Sequence, residues 1–522
     1  MSGEYDNFAR NMRKKLNDVS PSFCLAKWQQ VSLHLPQGLT QSCYHPPTHK
    51  IPLDLVKEKP SALHNTPIKI EERKMMMEGK RPSGCSYCWR VEDAKSDDPE
   101  GHLSDRHYRS SEWWNAPTFD EVTSNPWDYD VTPRYVEVNF NQACNFKCMY
   151  CSPHLSTTWE DEIKRFGGFE LDGGYTHNNL ESLEQKGLMP IKVAQKENPY
   201  VEAFWKWWPD IYRKLRVFRM TGGEPLMDKN TFKVLDYVNE NPHGQLELSI
   251  TSNMCPPNQE LFNTFLKKVK EIEKLRTYED PENFNEHSGN HWYVDKGFKH
   301  FWLFVSVDGF GEQAEYMRSG LEFERMMENV RTFLRETKYT TVSFINTFNI
   351  MSIPSLHKFL EMILELREEF GGRNQVEFEI APEQTEEEKK QGIVHKKYKQ
   401  KKFQRIFFDI PILTFPPWLN IQNAGTYGIE EVERCLKFME ENVQKEDYSQ
   451  TFEGFKPYEI LKVKRDLAVM KEPLSAENSM INKRNFYLFV KELDRRRQTN
   501  FLKTFPELKN YWKECMKSQI QD

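Results

Sequence analysis

The sequence predicts an α/β protein built on an open or partial β/α barrel, with an irregular cysteine-bearing region ahead of it and a helical region behind. Two observations carry that expectation. Strand-like runs recur at 135–140, 217–220, 246–251, 301–307, 341–350 and 376–380, each ending in a polar or glycine-rich turn. Amphipathic stretches with helical spacing, such as 231–239 and 322–335, lie between them. Alternating strand and helix means parallel strands joined by right-handed crossovers. Six such units make a partial (β/α)6 barrel, with its chemistry at the C-terminal strand ends.

The barrel is expected over 134–420. Residues 20–92 are irregular, with turn chemistry at 36–38 and at the Pro46–Pro47 pair, and a helix over 70–78 that stops at Gly79. The polar stretch 93–133 reads as a connector, and 421–522 as a helical region with helices near 430–443 and 484–497. No internal repeat is evident.

The chain has 522 residues, 72 Lys plus Arg and 78 Asp plus Glu, and a net charge of −6, which gives the whole molecule no general affinity for polyanions. One basic run, Lys396, Lys397, Lys399, Lys401 and Lys402, interleaves Tyr398 and Phe403. Acidic residues 386–388 balance it, so a solvated loop or helix face is expected and nucleic acid is not. The first residues lack the apolar core of a signal peptide, and no segment offers the roughly 20 apolar residues of a membrane span. A cytoplasmic protein is expected. The aromatic segment 204–208 (FWKWW) is expected to pack as a helix against the barrel.

The cysteines carry the functional signal. Seven of the ten fall in the first 151 residues, and five of those form Cys85-x2-Cys88 and Cys144-x3-Cys148-x2-Cys151. Such clustering points to metal rather than to disulfides. The loop Cys144–Cys148–Cys151 follows a strand directly. Three thiolates on one short loop suit a cubane cluster and leave its fourth iron open.

CxxxCxxC after a first strand, with the aromatic Tyr150 before the last cysteine, resembles the radical S-adenosylmethionine superfamily. The resemblance implies a partial, TIM-like β/α barrel and a [4Fe–4S] cluster on Cys144, Cys148 and Cys151, the catalytic residues. It also implies that S-adenosylmethionine chelates the open iron through its amino and carboxylate groups, and that reductive cleavage yields a 5′-deoxyadenosyl radical. Downstream segments fit the same cofactor. Gly222-Gly223-Glu224-Pro225 resembles the motif that holds the methionyl amino group. Thr251 and Asn253, at the third strand end, stand where the family binds ribose hydroxyls. Ser306-x-Asp308-Gly309 followed by Arg318 resembles the segment whose arginine meets the cofactor carboxylate; the family's usual His-Asp pair before that arginine is Glu315-Tyr316 here. Cys255 reads as a small buried residue, with a hydrogen-donor role as the alternative.

Cys24, Gly38, Cys43, Cys85 and Cys88 follow C-x13-G-x4-C and then CxxC, the first half of the SPASM pattern. Leu63-His64-Asn65, Arg73, Met77, Gly79, Pro82 and Glu92 keep its cadence. The region resembles a truncated SPASM or twitch domain placed before the barrel, and implies a second, auxiliary [4Fe–4S] cluster on Cys24, Cys43, Cys85 and Cys88. Zinc is the alternative there, with His45, His49 or His64 able to replace a thiol.

The resemblance implies a radical enzyme acting on a peptide or protein, fed by an electron donor such as flavodoxin or ferredoxin. Small-molecule chemistry and a non-catalytic zinc-stapled binding protein are the alternatives. No acid–base pair stands out, and Glu377 and Glu379 alternate with apolar residues on the expected sixth strand.

Overall fold

Val136 and Val138 alternate with Tyr135, Glu137 and Asn139, and a period of two sends the two sets to opposite faces of a strand. The computed structural model describes residues 2–96, 101–174, 176–192, 198–275, 298–380, 396–444 and 454–520. The chain divides into two compact units: residues 1–143, 183–228 and 245–250, and residues 144–182, 229–244 and 251–522.

In the first unit, Gln30–His34, Tyr135–Asn139, Val217–Thr221 and residues 245–250 of His243–Ser252 lie side by side as parallel strands. Leu39–Gln41 and His49–Lys50 extend the edge in antiparallel sense. In register, Val31, Leu33, Val136, Val138, Phe218, Met220, Leu248 and Ile250 form one fully buried apolar face. The other face carries a polar row, Ser32–Glu137–Arg219–Ser249, in which Glu137 and Arg219 pair at 3.6 Å. The helix Pro199–Lys214 buries Phe204, Trp207 and Trp208, with the Trp208 ring 5.0 Å from Phe218. The FWKWW segment therefore packs, as expected.

The N-terminal region is more regular than its sequence predicts. It opens with the helix Ser2–Val19 and contributes the strand Gln30–His34, too short to announce itself and stabilised by its parallel neighbour. The helix expected over 70–78 is Pro67–Met77, capped by Thr66 and followed by Gly79 at φ 75°. Residues 93–133 carry the helices Asp105–Ser111 and Phe119–Ser124.

In the second unit, Phe298–Ser306, Thr341–Ile345 and Ile406–Asp409 are parallel. Leu303, Val305, Val342, Phe344, Ile406 and Phe408 form the buried face. Here the structure corrects the expectation: the strand beside Thr341–Ile345 is Ile406–Asp409, not 376–380. Gly372–Ile380 pairs antiparallel with Lys396–Gln404 instead. The reason lies in pattern. VEFEI alternates, as a two-faced antiparallel strand does, whereas IFF is continuously apolar and buries Ile406 and Phe408 in the parallel sheet. The basic run is thus part of a hairpin strand rather than a loop or helix face. The side chains of Glu377 and Glu379, and the acidic residues 386–388, lie outside the described residues.

Helices occur at Lys229–Glu240 and Phe323–Glu336 as expected, and the C-terminal region is helical over Gly425–Glu441, Pro457–Lys471 and Ala476–Arg497. Arg367 and Glu459, both fully buried, pair at 2.7 Å, and Arg367 also donates to the Ile406 and Gly454 carbonyls. Among the described residues no helix is long and apolar enough to cross a membrane.

Asp466 supplies a test of this packing. It is 8 % exposed, and burial raises its carboxyl to about 7, with Arg465 opposing and Asp409 reinforcing the shift. The native state therefore holds a proton that the unfolded chain releases near pH 4, so stability falls as pH rises towards 7. Asp466→Asn should remove that slope: thermal melts at pH 5 and 8 should differ less in the variant than in the parent.

Candidate active site

The cysteine loop belongs to the second unit and is pinned by the helix that follows it. Ser156 caps that helix and donates to the Phe146 carbonyl at 2.7 Å, Thr158 donates to the same carbonyl, and the Trp159 indole donates to the Cys148 carbonyl at 2.8 Å. Asn178 donates to the Cys151 carbonyl at 3.1 Å. Lys147 and Cys148 form a two-residue antiparallel bridge with Arg318 and Ser319, and the Met149 amide donates to the Met317 carbonyl. Gly320, at φ 109°, makes room for this crossing: a Cβ there would stand 2.7 Å from the Asn145 carbonyl oxygen.

The bridge delivers Arg318 to the loop. Its guanidinium meets Asp308 at 2.7 and 3.1 Å, the Tyr150 hydroxyl at 2.5 Å and the Cys148 Sγ at 3.4 Å. Asp308, fully buried, also accepts from the Tyr150 hydroxyl at 2.8 Å and the Thr347 amide at 2.9 Å. Arg318 is 6 % exposed and faces the cysteines, but Asp308 already engages it. The sequence marks Asp308 only as part of the SxDG segment; its pairing with Arg318, ten positions on, carries no local pattern.

Burial pushes the Cys148 thiol up while Arg318 opposes it, and burial with the neighbouring Cys148 pushes the Cys151 thiol up. Deprotonating such thiols requires positive charge, which a bound metal supplies and Arg318 assists. The Phe146 amide donates to the Cys144 Sγ at 3.4 Å. Three cysteines on one loop, with a cation and an amide directed at sulfur, fit a thiolate-ligated iron–sulfur cluster.

Asn253 joins the loop to the strand end behind it. Its amide donates to Asn145 Oδ1 at 3.0 Å and its carbonyl accepts from the Cys255 amide, while Asn145 donates to the Cys255 carbonyl. Thr251 and Ser306 stand half-buried at the ends of their strands. Cys255 is fully buried, with Arg325 nitrogens 3.0 and 3.2 Å from its sulfur.

Gly222, Gly223 and Glu224 belong to the first unit. A Cβ on Gly222, at φ 124°, would stand 2.2 Å from Asn139 Oδ1, and one on Gly223 would stand 2.2 Å from the Ala143 carbonyl oxygen. Both glycines thus admit the chain's own neighbouring segment. Glu224, 2 % exposed, bonds through its amide to the Ala143 carbonyl at 2.7 Å, and its carboxylate caps Pro225–Met227 by accepting from the Leu226 amide.

Also in the first unit, Cys24, Cys43, Cys85 and Cys88, distant in sequence, line one cavity with Lys27, His45 and Arg106. Burial raises all four thiols, Cys43 to about 12. His64 is turned elsewhere, bonded to the Trp28 carbonyl and Arg73, and His49 to Thr66. His64, Asn65 and Arg73 form a buried hydrogen-bonded network that supports the cavity's wall. Among the described residues no three His, Cys, Asp or Glu side chains close on a single metal ion.

No family model matches the chain. Curated sequences do: GTP 3′,8-cyclase of Nostoc sp. is 26% identical over 161 residues, 30% of this chain and 38% of the relative. GTP 3′,8-cyclase of Campylobacter lari is 26% identical over 119 residues, 23% of this chain and 27% of the relative. The chain thus spans well under half the length of these relatives. Among solved structures, Streptococcus suis SuiB bound to the precursor peptide SuiA aligns with a TM-score of 0.25 and 12% identity, over 65% of this chain and 60% of that one. SuiB bound to S-adenosylmethionine aligns at 0.26 and 12%, over 64% and 59%. The cysteine loop and these partial matches support a likeness to radical S-adenosylmethionine enzymes over the shared part of the chain.

The Asp308–Arg318 pair yields a direct prediction. Asp308→Ala leaves a buried guanidinium without its counter-charge and should cost about 3–5 kcal/mol of stability in urea unfolding, against about 1–3 for Tyr150→Phe.

Proposed function

We propose that the chain binds a [4Fe–4S] cluster through Cys144, Cys148 and Cys151 and uses S-adenosylmethionine to abstract hydrogen from a peptide or protein. The observation that carries this reading is the backbone bridge that sets Arg318 against Cys148, Tyr150 and Asp308. When bound and reduced, the cluster and S-adenosylmethionine together supply the 5′-deoxyadenosyl radical. The protein's part is to hold thiolates, to orient the cofactor and to keep the site dry. In this reading Glu224 accepts from the methionyl ammonium, with Gly222 and Gly223 shaping the turn. Thr251, Asn253 and Ser306 offer hydroxyl and amide groups to the nucleoside. Tyr150 and Arg318 border the carboxylate.

The reading further takes the parallel strands as parts of a partial (β/α)6 barrel over 134–420, preceded by an auxiliary-cluster domain over 20–92 and a connector, and followed by a helical region over 421–522. Convergence of Cys24, Cys43, Cys85 and Cys88 on one cavity supports the auxiliary [4Fe–4S] centre. Zinc is the alternative occupant. The peptide or protein substrate rests on the resemblance to SPASM and twitch proteins. A small-molecule substrate is the second reading, favoured by the cyclase relatives, whose name specifies a nucleotide. A flavodoxin or ferredoxin is proposed as electron donor, in the cytoplasm.

The test is anaerobic reconstitution and reduction, followed by assay for 5′-deoxyadenosine. Cys148→Ala should abolish the product; full cleavage by that variant sinks the assignment. Truncating Glu224 or Arg318 should weaken S-adenosylmethionine binding by about 1.5–3 kcal/mol in calorimetry, the range of a charge-assisted hydrogen bond. Two clusters require about eight irons per chain. Four irons with one zinc would instead overturn the auxiliary-cluster reading.

A further inference from the structure

The cavity bounded by Cys24, Cys43, Cys85 and Cys88 has an asymmetric charge lining. Lys27, Arg106 and Arg109 stand on its wall, and Asp105 is the one carboxylate among the lining residues. The carboxylates that pair with two of these cations do not line it: Glu72 meets Lys27 at 2.6 Å, and Glu92 meets Arg106 at 2.9 Å. Lys27 and Arg106 are 2 % and 3 % exposed, so solvent screens neither. Lys27 shares the cavity wall with all four cysteines, and its ammonium donates to Glu72 at 2.6 Å.

A buried lysine needs only one carboxylate to be accommodated. Its place on the wall of a cavity lined by four thiols points to a task beyond folding. We propose that Lys27 sets the reduction potential of the iron–sulfur centre on these four cysteines, an inference that rests on the auxiliary-cluster reading above. Reduction adds one electron and therefore one negative charge to a centre already carrying thiolates. A buried cation on the wall that the four ligating sulfurs share stabilises the reduced state more than the oxidised one and raises the potential.

The experiment uses the full-length chain with Cys144, Cys148 and Cys151 replaced by Ala, so that the N-terminal site alone takes up iron and sulfide. Potentiometric titration followed by electron paramagnetic resonance gives its midpoint. Lys27→Gln should lower that midpoint with iron content unchanged, and Lys27→Arg, which keeps the charge, should stay near the parent. An unmoved midpoint in a fully loaded Lys27→Gln protein overturns the proposal while leaving the auxiliary centre standing. If the parent binds no iron at this site, the auxiliary reading fails and the proposal with it. Should Lys27→Gln strand Glu72 and lose the fold, Lys27→Gln/Glu72→Gln removes both partners and is judged by the same midpoint.

Discussion

The buried ion pair between Asp308 and Arg318 is the interaction on which the arrangement around the cysteine loop depends. Asp308 has no solvent contact, and it accepts from the Arg318 guanidinium, the Tyr150 hydroxyl and the Thr347 amide together. A carboxylate so placed is tolerable only when its lone pairs are met, and each of the three donors comes from a different stretch of chain. Meeting them fixes those stretches against one another. Tyr150 is thereby oriented within the cysteine loop, and Arg318 is held at its bridge to Cys148. The same guanidinium then reaches a sulfur whose thiol is otherwise pushed up by burial.

A comparable logic organises the first unit. Its parallel strands keep one face wholly apolar, which spends the hydrophobic effect on stability. The opposite face is then available for polar work, and Glu137 and Arg219 satisfy one another across neighbouring strands. Burial raises the Glu137 carboxyl while Arg219 draws it back down. Around the four N-terminal cysteines, Lys27 and Arg106 are paired with Glu72 and Glu92. In each case a polar group is buried with its partner in place, so the cost of removing it from water is offset locally.

The sequence by itself determined those features that depend on local pattern. CxxxCxxC following a strand marked the loop, because its three cysteines are neighbours in the chain. Alternation and amphipathic spacing located the strands 135–139, 217–221 and 341–345 and the helices 229–240 and 323–336, since burial of one face writes its period into the sequence. Tertiary structure decided what local pattern does not encode. The strand beside Thr341–Ile345 proved to be Ile406–Asp409, and the alternating 376–380 segment found an antiparallel partner instead. Only folding shows what stands beside the glycines at 222 and 223, the Asn139 side chain and the Ala143 carbonyl. Arg318 was legible as a charge near the site, but its engagement with Asp308 and Cys148 required a bridge between segments far apart in the chain. Lys27 and Arg106 carried no motif at all. Their place beside four cysteines exists only once the chain has closed around them, and that is a property of packing rather than of order along the chain.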